Sequence, residues 1–459
     1  MSESLSSAPM TAPGPRGDFI LGSTLDFKES PLEFIAYLQR AYGDVARFRV
    51  GPSHWYLVSH PEDIWDMMVH RPKIFLKPAV ARRLWEKFLG NGLLTVEGAA
   101  WKRLHSLMRP AFHRGRIQAY GETMVSYTHR MVDAWEEGER IDFNEAMVNL
   151  TLEIVAKTLF DADVRAGTST VAQAMNTLNV EMLNHIHMPI PVPRWWPSER
   201  NRRKMAAIED IEKIVRDVIA ERRESGEDHG DLLSMLVNAR TEDGDGLTDT
   251  EIRDQSMTLF FAGHETTAHA MTWTWYLLSR YPEVADRLID DIQAVTGGAH
   301  LEVAHLSELS YLDQVIKESM RILPSVWVFM KEPTEDVVIR GYKIPKGSQI
   351  MISPYVTHHD PRWYPSPETF DPERFSPQRI KSIPNGAYVP FSGGGRVCIG
   401  KSFAMMEARL IIGSMLQRLH PAVPADYVPV KKAVLSMQPR DGLPMDVNHR
   451  QVPLREVAG

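Results

Sequence analysis

A single cysteine, Cys398, serves a chain of 459 residues. One thiol closes no intrachain disulfide and builds no multi-cysteine zinc or iron–sulfur site. The fold must therefore be held by buried apolar surface, and 43% of the residues are hydrophobic, enough for a large core. Without a disulfide framework, a reducing cytosol is the expected compartment. The formal net charge of −7 argues against a nucleic-acid protein. No apolar run is long enough for a signal peptide or a membrane anchor. The most apolar helical stretch, 259–278, is broken by His264, Glu265 and His269. The expectation is a soluble, cytoplasmic protein.

Periodicity predicts a mainly α fold with a small β region. Helical patterns run over 31–42, 62–70, 118–136, 143–160, 169–184 and 200–223. A long helix is expected from Thr248 to about Ser279, with Thr248 as N-cap and Glu251 completing a capping box. Another starts near Lys401. Strands are expected at 45–50 and 55–58, joined over Gly51-Pro52-Ser53, and at 337–340, 349–352 and 443–447. Residues 71–95 read as irregular but apolar. Residues 1–17, rich in Pro and Ser, read as a flexible tail. Length alone suggests two or three domains, but no linker or internal repeat supports a split, so 18–459 reads as one domain.

Cys398 lies in Phe391-Ser-Gly-Gly-Gly-Arg396-Val-Cys398-Ile-Gly400. A free cysteine is most often buried and inert, and spacing alone favours that reading. The flanking pattern favours another: one thiolate on a metal that something else holds, as a haem iron is held by its porphyrin. A helix beginning just after the cysteine would favour thiolate over thiol. The segment resembles the haem-binding signature of the cytochrome P450 family, Phe-x-x-Gly-x-Arg-x-Cys-x-Gly. The resemblance runs from about residue 13 to 447. It implies the P450 fold, with haem b (iron protoporphyrin IX) between the long central helix and the cysteine loop. Cys398 would be the axial iron ligand. Arg396 would meet a haem propionate, Phe391 would shield the sulfur, and Gly394 and Gly400 would allow close backbone approach. Pro13-Gly-Pro-Arg-Gly17 resembles the hinge that follows the anchor in membrane-bound relatives, with no anchor before it here.

Ala262-Gly263-His264-Glu265-Thr266-Thr267 falls inside the long helix. A mid-helix glycine costs about 1 kcal/mol relative to alanine, and acid and alcohol groups in an apolar stretch add a desolvation cost. The plain alternative is a helix bent at Gly263 with Thr266 bonded back to a carbonyl. The segment resembles the family's oxygen-activation motif. By that resemblance Gly263, next to Ala262 of the same motif, would open a groove for dioxygen, Thr266 would hydrogen-bond the bound oxygen, and Glu265 would relay protons from solvent. Retention of that pair favours a monooxygenase over a peroxide-driven peroxygenase or a haem isomerase or dehydratase. It also argues against a non-catalytic haem sensor.

Glu318 and Arg321, at i and i+3, resemble the family's Glu-x-x-Arg, with Arg374 as the third, structural member. Trp101 and His105, and Lys331, stand where relatives contact propionates. A lysine there supplies charge without the bidentate fork of arginine. His358-His359-Asp360 resembles an ordinary loop of the family and not a second metal site. By the same resemblance Trp85, Phe88, Leu259, Phe260, Val326, Trp327, Ser436 and Met437 would wall an apolar pocket, for a fatty acid, terpenoid or steroid-like substrate. Arg82 or Arg83 would either anchor a carboxylate or face water. The overall pattern resembles the fatty-acid-hydroxylase and eukaryote-like branch more than the small-terpene branch. No flavin or nicotinamide motif is present, so electrons would come from a ferredoxin or flavodoxin with its NAD(P)H-dependent reductase. Residues 98–121 hold Lys102, Arg103, Arg109, Arg114 and Arg116 and no acid. That run reads either as a solvated face or as a docking patch for an acidic donor, which Lys401 and Arg409 would extend.

Overall fold

The computed structural model describes residues 9–161, 177, 198–226, 230–241 and 244–450. Helix dominates, with short strands, as the periodicity predicts. The expected helix over 169–184 lies outside the described residues apart from Thr177, which is helical. The chain divides into two units.

The first unit comprises residues up to 82, 321–370 and 377–398. It holds a five-stranded sheet in the order Val45–Val50, Ser53–Val58, Gln349–Ile352, Phe329–Pro333, Phe75–Leu76. The hairpin registers Val45 on Val58 and Val50 on Ser53, so the second strand starts two residues before the expected Trp55. Ser53–Val58 pairs in parallel with Gln349–Ile352. Val45, Tyr56, Val58, Phe75, Ile350 and Ile352 bury their side chains together with Ile64, Met67 and Met68. The helix Pro31–Tyr42 buries Leu32, Phe34, Ile35 and Leu38, the face its spacing predicts, and stops at Gly43 with φ 86°. The helical pattern at 62–70 is an α-helical turn, Pro61–Trp65, continued by a wider π turn, Asp66–His70.

For residues 9–17 the expectation of a flexible tail is corrected; residues 1–8 lie outside the described residues. Met10 N–H donates to Gly341 O at 2.9 Å, Lys343 N–H donates to Met10 O at 2.9 Å, and Arg47 N–H donates to Pro13 O at 2.7 Å. Ala12 is buried. Prolines remove donors but leave carbonyls free to accept, so a segment that reads as tail is laid along strand backbone.

The second unit comprises residues 83–320, 371–376 and those from 399 onward. The helix Asp249–Arg280 runs through it with both bonds of the predicted Thr248/Glu251 capping box present. It packs against Phe143–Phe160, Glu199–Ser225 and Lys401–Leu416. Trp273 and Trp275 are fully buried. Trp273 Nε1–H donates to Met437 O at 2.8 Å, and Trp275 stacks on Phe143 with centroids 5.2 Å apart. Residues 71–95 are more regular than expected, with the strand Phe75–Leu76 and the helix Ala79–Leu89. Leu84, Trp85, Phe88 and Leu89 already had helical spacing. The intervening charges, Arg83, Glu86 and Lys87, form the other face.

Candidate active site

The cysteine loop is shaped by close backbone packing. Cys398 N–H donates to Phe391 O at 3.0 Å and Val397 N–H to Gly394 O at 3.2 Å. Gly394 has φ +63°, and a Cβ there would lie 2.2 Å from Met68 O. Only glycine fits that position, and what it approaches in this unit is the π turn. Gly395, by contrast, has open space around it. Cys398 is exposed, unlike the buried inert thiol that is the commoner case. Arg396 ends the short turn Gly394–Arg396 and is half-buried, as is Phe391. The helix Lys401–Leu416 starts directly after the loop, with Gly400 as N-cap. One accessible sulfur at the head of a helix is a donor set for one axial position on a metal held by other ligands. Among the described residues no cluster of His, Cys, Asp or Glu could hold a metal by itself. A single exposed thiol just ahead of a helix fits a haem.

In the second unit, Ala262 is exposed and Gly263 and Thr266 are half-buried, whereas His264, Glu265 and residues 267–275 are buried. A methyl group at Gly263 would meet only Val155 Cγ2, at 3.5 Å, an ordinary contact. Packing therefore does not require that glycine. Thr266 Oγ1 donates to Ala262 O at 2.9 Å and Thr267 Oγ1 to Gly263 O at 3.2 Å. Thr266 thus makes the carbonyl bond of the plain reading, while its oxygen can still accept. Glu265 is 9% exposed. Burial pushes its pKa up to about 7, opposed by a hydrogen bond from Ser436.

The sequence placed Trp101 and His105 on one helical face, and their rings stack with centroids 4.7 Å apart. Lys331 is largely buried on the strand Phe329–Pro333. Glu318 accepts from Arg374 Nε at 3.3 Å and from Asp371 N–H at 3.0 Å. Arg321, fully buried, donates to His358 O at 2.8 Å and Pro367 O at 2.7 Å. These bonds tie the loops at 358, 367 and 371–374 to the residues Glu318 and Arg321. Among the proposed wall residues, Trp85, Leu259 and Val326 are half-buried, and Trp85 meets Phe261 edge-on at 5.4 Å. Phe88, Phe260, Trp327, Ser436 and Met437 are buried and spend their surface on packing.

Within the basic run, Arg103 is already engaged: it pairs with Glu251 Oε1 at 2.5 Å and donates to Gly246 O at 2.7 Å. Lys102, Arg109, Arg116 and Lys401 remain exposed. Sequence reasoning did not assign Glu407, His269 or Ser436 to the chemistry. Glu407 is fully buried, and burial raises its carboxyl pKa well above the usual range, opposed by Thr267. His269 and Ser436 are hydrogen-bonded at 2.9 Å. For His269 the available signal was its i, i+4 spacing from Glu265 inside an apolar run; Ser436, in a turn between two strands, had none.

The family model for cytochrome P450 matches residues 12–442. The chain is 34% identical over 412 residues to a cyclooctat-9-en-7-ol 5-monooxygenase of Streptomyces melanosporofaciens, covering 89% of this chain and 88% of that one. It is 32% identical over 428 residues to a pentalenene oxygenase of Streptomyces avermitilis, covering 93% and 94%. The crystal structure of the cytochrome P450DA heme domain superposes with a TM-score of 0.90 at 26% identity, over 97% of this chain and 98% of that one.

Proposed function

The chain belongs to the cytochrome P450 family, and from that premise we propose that it hydroxylates a cyclic terpenoid with electrons from a ferredoxin. The enzyme class is P450 monooxygenase and the cofactor is haem b. Such an enzyme needs dioxygen and an electron-transfer partner. No described helix is long and apolar enough to cross a membrane.

When bound, haem supplies the activation of dioxygen; the protein supplies orientation, protons and exclusion of water. Cys398 Sγ would hold the iron. Arg396, Trp101, His105 and Lys331 would hold the propionates. Thr266 Oγ1 would accept and pass a hydrogen bond on the exposed side of the helix. Glu265 would give up and regain a proton at its carboxyl. The observation that carries the monooxygenase reading is a buried acid, Glu265, beside half-buried Thr266 on a helix whose packing does not require Gly263; burial pushes that carboxyl pKa up to about 7. A general acid and base works best when its pKa lies near the operating pH.

The substrate class rests on the relatives, one named for a carbocyclic alcohol and one for a carbocyclic hydrocarbon. Half-buried Trp85 and Leu259 are compatible with such rings. This moves the reading away from the fatty-acid branch that the sequence pattern resembled. The test is a titration of the holoenzyme with cyclic terpenes, terpene alcohols and medium-chain fatty acids, following the haem spin-state shift. Turnover is then reconstituted with a ferredoxin and its reductase. Terpenes should shift the spectrum and yield hydroxylated product. Shifts by fatty acids alone would overturn the substrate class, and efficient peroxide-driven turnover without reductase would favour a peroxygenase.

A further inference from the structure

Glu265 and His269 are at i and i+4 and so share one face of the long helix. Over that face lies the turn between the strands Lys431–Ala433 and Met437–Pro439, which presents Ser436. Ser436 Oγ is 2.9 Å from His269 Nδ1, and Ser436 is the side chain that draws the Glu265 carboxyl pKa back down against burial. His269 and Ser436 are each 1% exposed. One helical turn on, Trp273 ties Met437 to the same helix, which fixes the turn in place.

A neutral imidazole has one N–H and a serine has one O–H. Burial holds His269 neutral, with a pKa lowered to about 3. Its Nε2 has no hydrogen-bond partner among the described residues. With the proton on Nδ1, that nitrogen donates to Ser436 Oγ, and the serine O–H is left to donate to Glu265. With the proton on Nε2, a buried donor is stranded and the serine O–H turns to the imidazole. Buried N–H groups without an acceptor are rare, so the geometry selects the first arrangement.

We propose that Ser436 and His269 are positioning residues for Glu265: the imidazole fixes the serine hydroxyl as a donor to the carboxyl, which sets the carboxyl's orientation and acidity. This rests on the reading of Glu265 as the proton-handling group. Burial and Ser436 are what act on Glu265, with no charged side chain contributing. On His269 the acting neighbour is His264 of the same helix. From the helix Lys401–Leu416, Glu407 reaches Thr267.

Two measurements on the holoprotein need no turnover. Side-chain ¹⁵N spectra of the diamagnetic ferrous carbonyl form should show His269 as the Nδ1–H tautomer. The infrared band of protonated Glu265, identified by its loss in Glu265→Gln, should titrate about tenfold less acidic in Ser436→Ala, the order expected for one hydrogen bond to a charged group. His269→Phe should reproduce most of that shift. His269→Asn, which keeps an N–H near the Nδ1 position, should stay close to wild type. An Nε2–H tautomer, or an unmoved midpoint in Ser436→Ala, would overturn the proposal. The tautomer decides it even if a variant fails to fold. Product formed per NADPH tests the underlying reading separately. Normal coupling in Glu265→Gln would refute the proton role, while the infrared midpoints would still decide the Ser436–His269 pair.

Discussion

Burial favours the protonated form of a carboxyl that has no cation beside it, and Glu265 is held to a pKa of about 7 from an ordinary 4.5. Folding therefore raises its proton affinity. Below about pH 4.5 both folded and unfolded chains are protonated there and the site costs nothing. As pH rises through 7 the folded protein loses the advantage, on the order of 3 kcal/mol by linkage. Glu265→Gln should be more stable than wild type at pH 8 and about equal at pH 4.5, measured by denaturant unfolding of both at each pH. Equal stability at both values would mean that the carboxyl is not desolvated. His264 and His269 are also buried, with pKa values lowered to about 4 and about 3. Both are present in the two proteins compared, so their own pH dependence cancels. Cys398 gives a second prediction at this scale. Cys398→Ala should abolish the strongly red-shifted absorbance of the reduced carbonyl complex, and survival of that band would refute the ligand assignment.

The long helix carries a glycine that its packing does not demand. Gly263→Ala adds one methyl group 3.5 Å from Val155, which the core accepts without rearrangement. Alanine favours helix by about 1 kcal/mol over glycine, so this variant should unfold at higher denaturant than wild type. If Gly263 opens room for dioxygen, its coupling of electrons to product should fall at the same time. Greater stability with unchanged coupling would make the glycine incidental. A further constraint on this helix is the loop it holds. Asn91 N–H donates to Asp254 at 2.6 Å and Leu93 N–H to Gln255 at 2.8 Å. These bonds fix the chain that leaves the helix Ala79–Leu89, the one carrying Trp85.

At the scale of the molecule, a net charge of −7 coexists with a run of basic residues without acids from 98 to 121. Arg103 is spent on Glu251 and Gly246, while Lys102 faces solvent. The two neighbours should therefore behave differently. Lys102→Glu should slow reduction by an acidic ferredoxin at low salt, with the difference shrinking as ionic strength rises, since exposed charges are screened over about 10 Å at 0.1 M. Arg103→Glu should instead lower the unfolding midpoint, because it places a second carboxylate beside Glu251. Reduction rates of Lys102→Glu that match wild type at every salt concentration would leave the run a solvated face.

The sequence alone determined what depends on neighbours along the chain. The Thr248/Glu251 capping box, the helix Pro31–Tyr42 with its buried face, and the cysteine signature are local patterns whose chemistry is written in consecutive residues. The strands Phe329–Pro333 and Phe75–Leu76 were not legible, because short strands are defined by their pairing, and Phe75–Leu76 pairs with Phe329–Pro333 from a distant part of the chain. Nor was the attachment of Met10 and Pro13 to strand backbone. Arg103 and Lys102 are adjacent cations in sequence, and only the approach of Glu251 separates their roles. Glu265 is an acid in the sequence; its pKa near neutrality exists only because tertiary packing removes water and brings Ser436 across. Charge, hydrogen bonding and burial at a site are properties of what surrounds a side chain, and those surroundings come from distant parts of the chain.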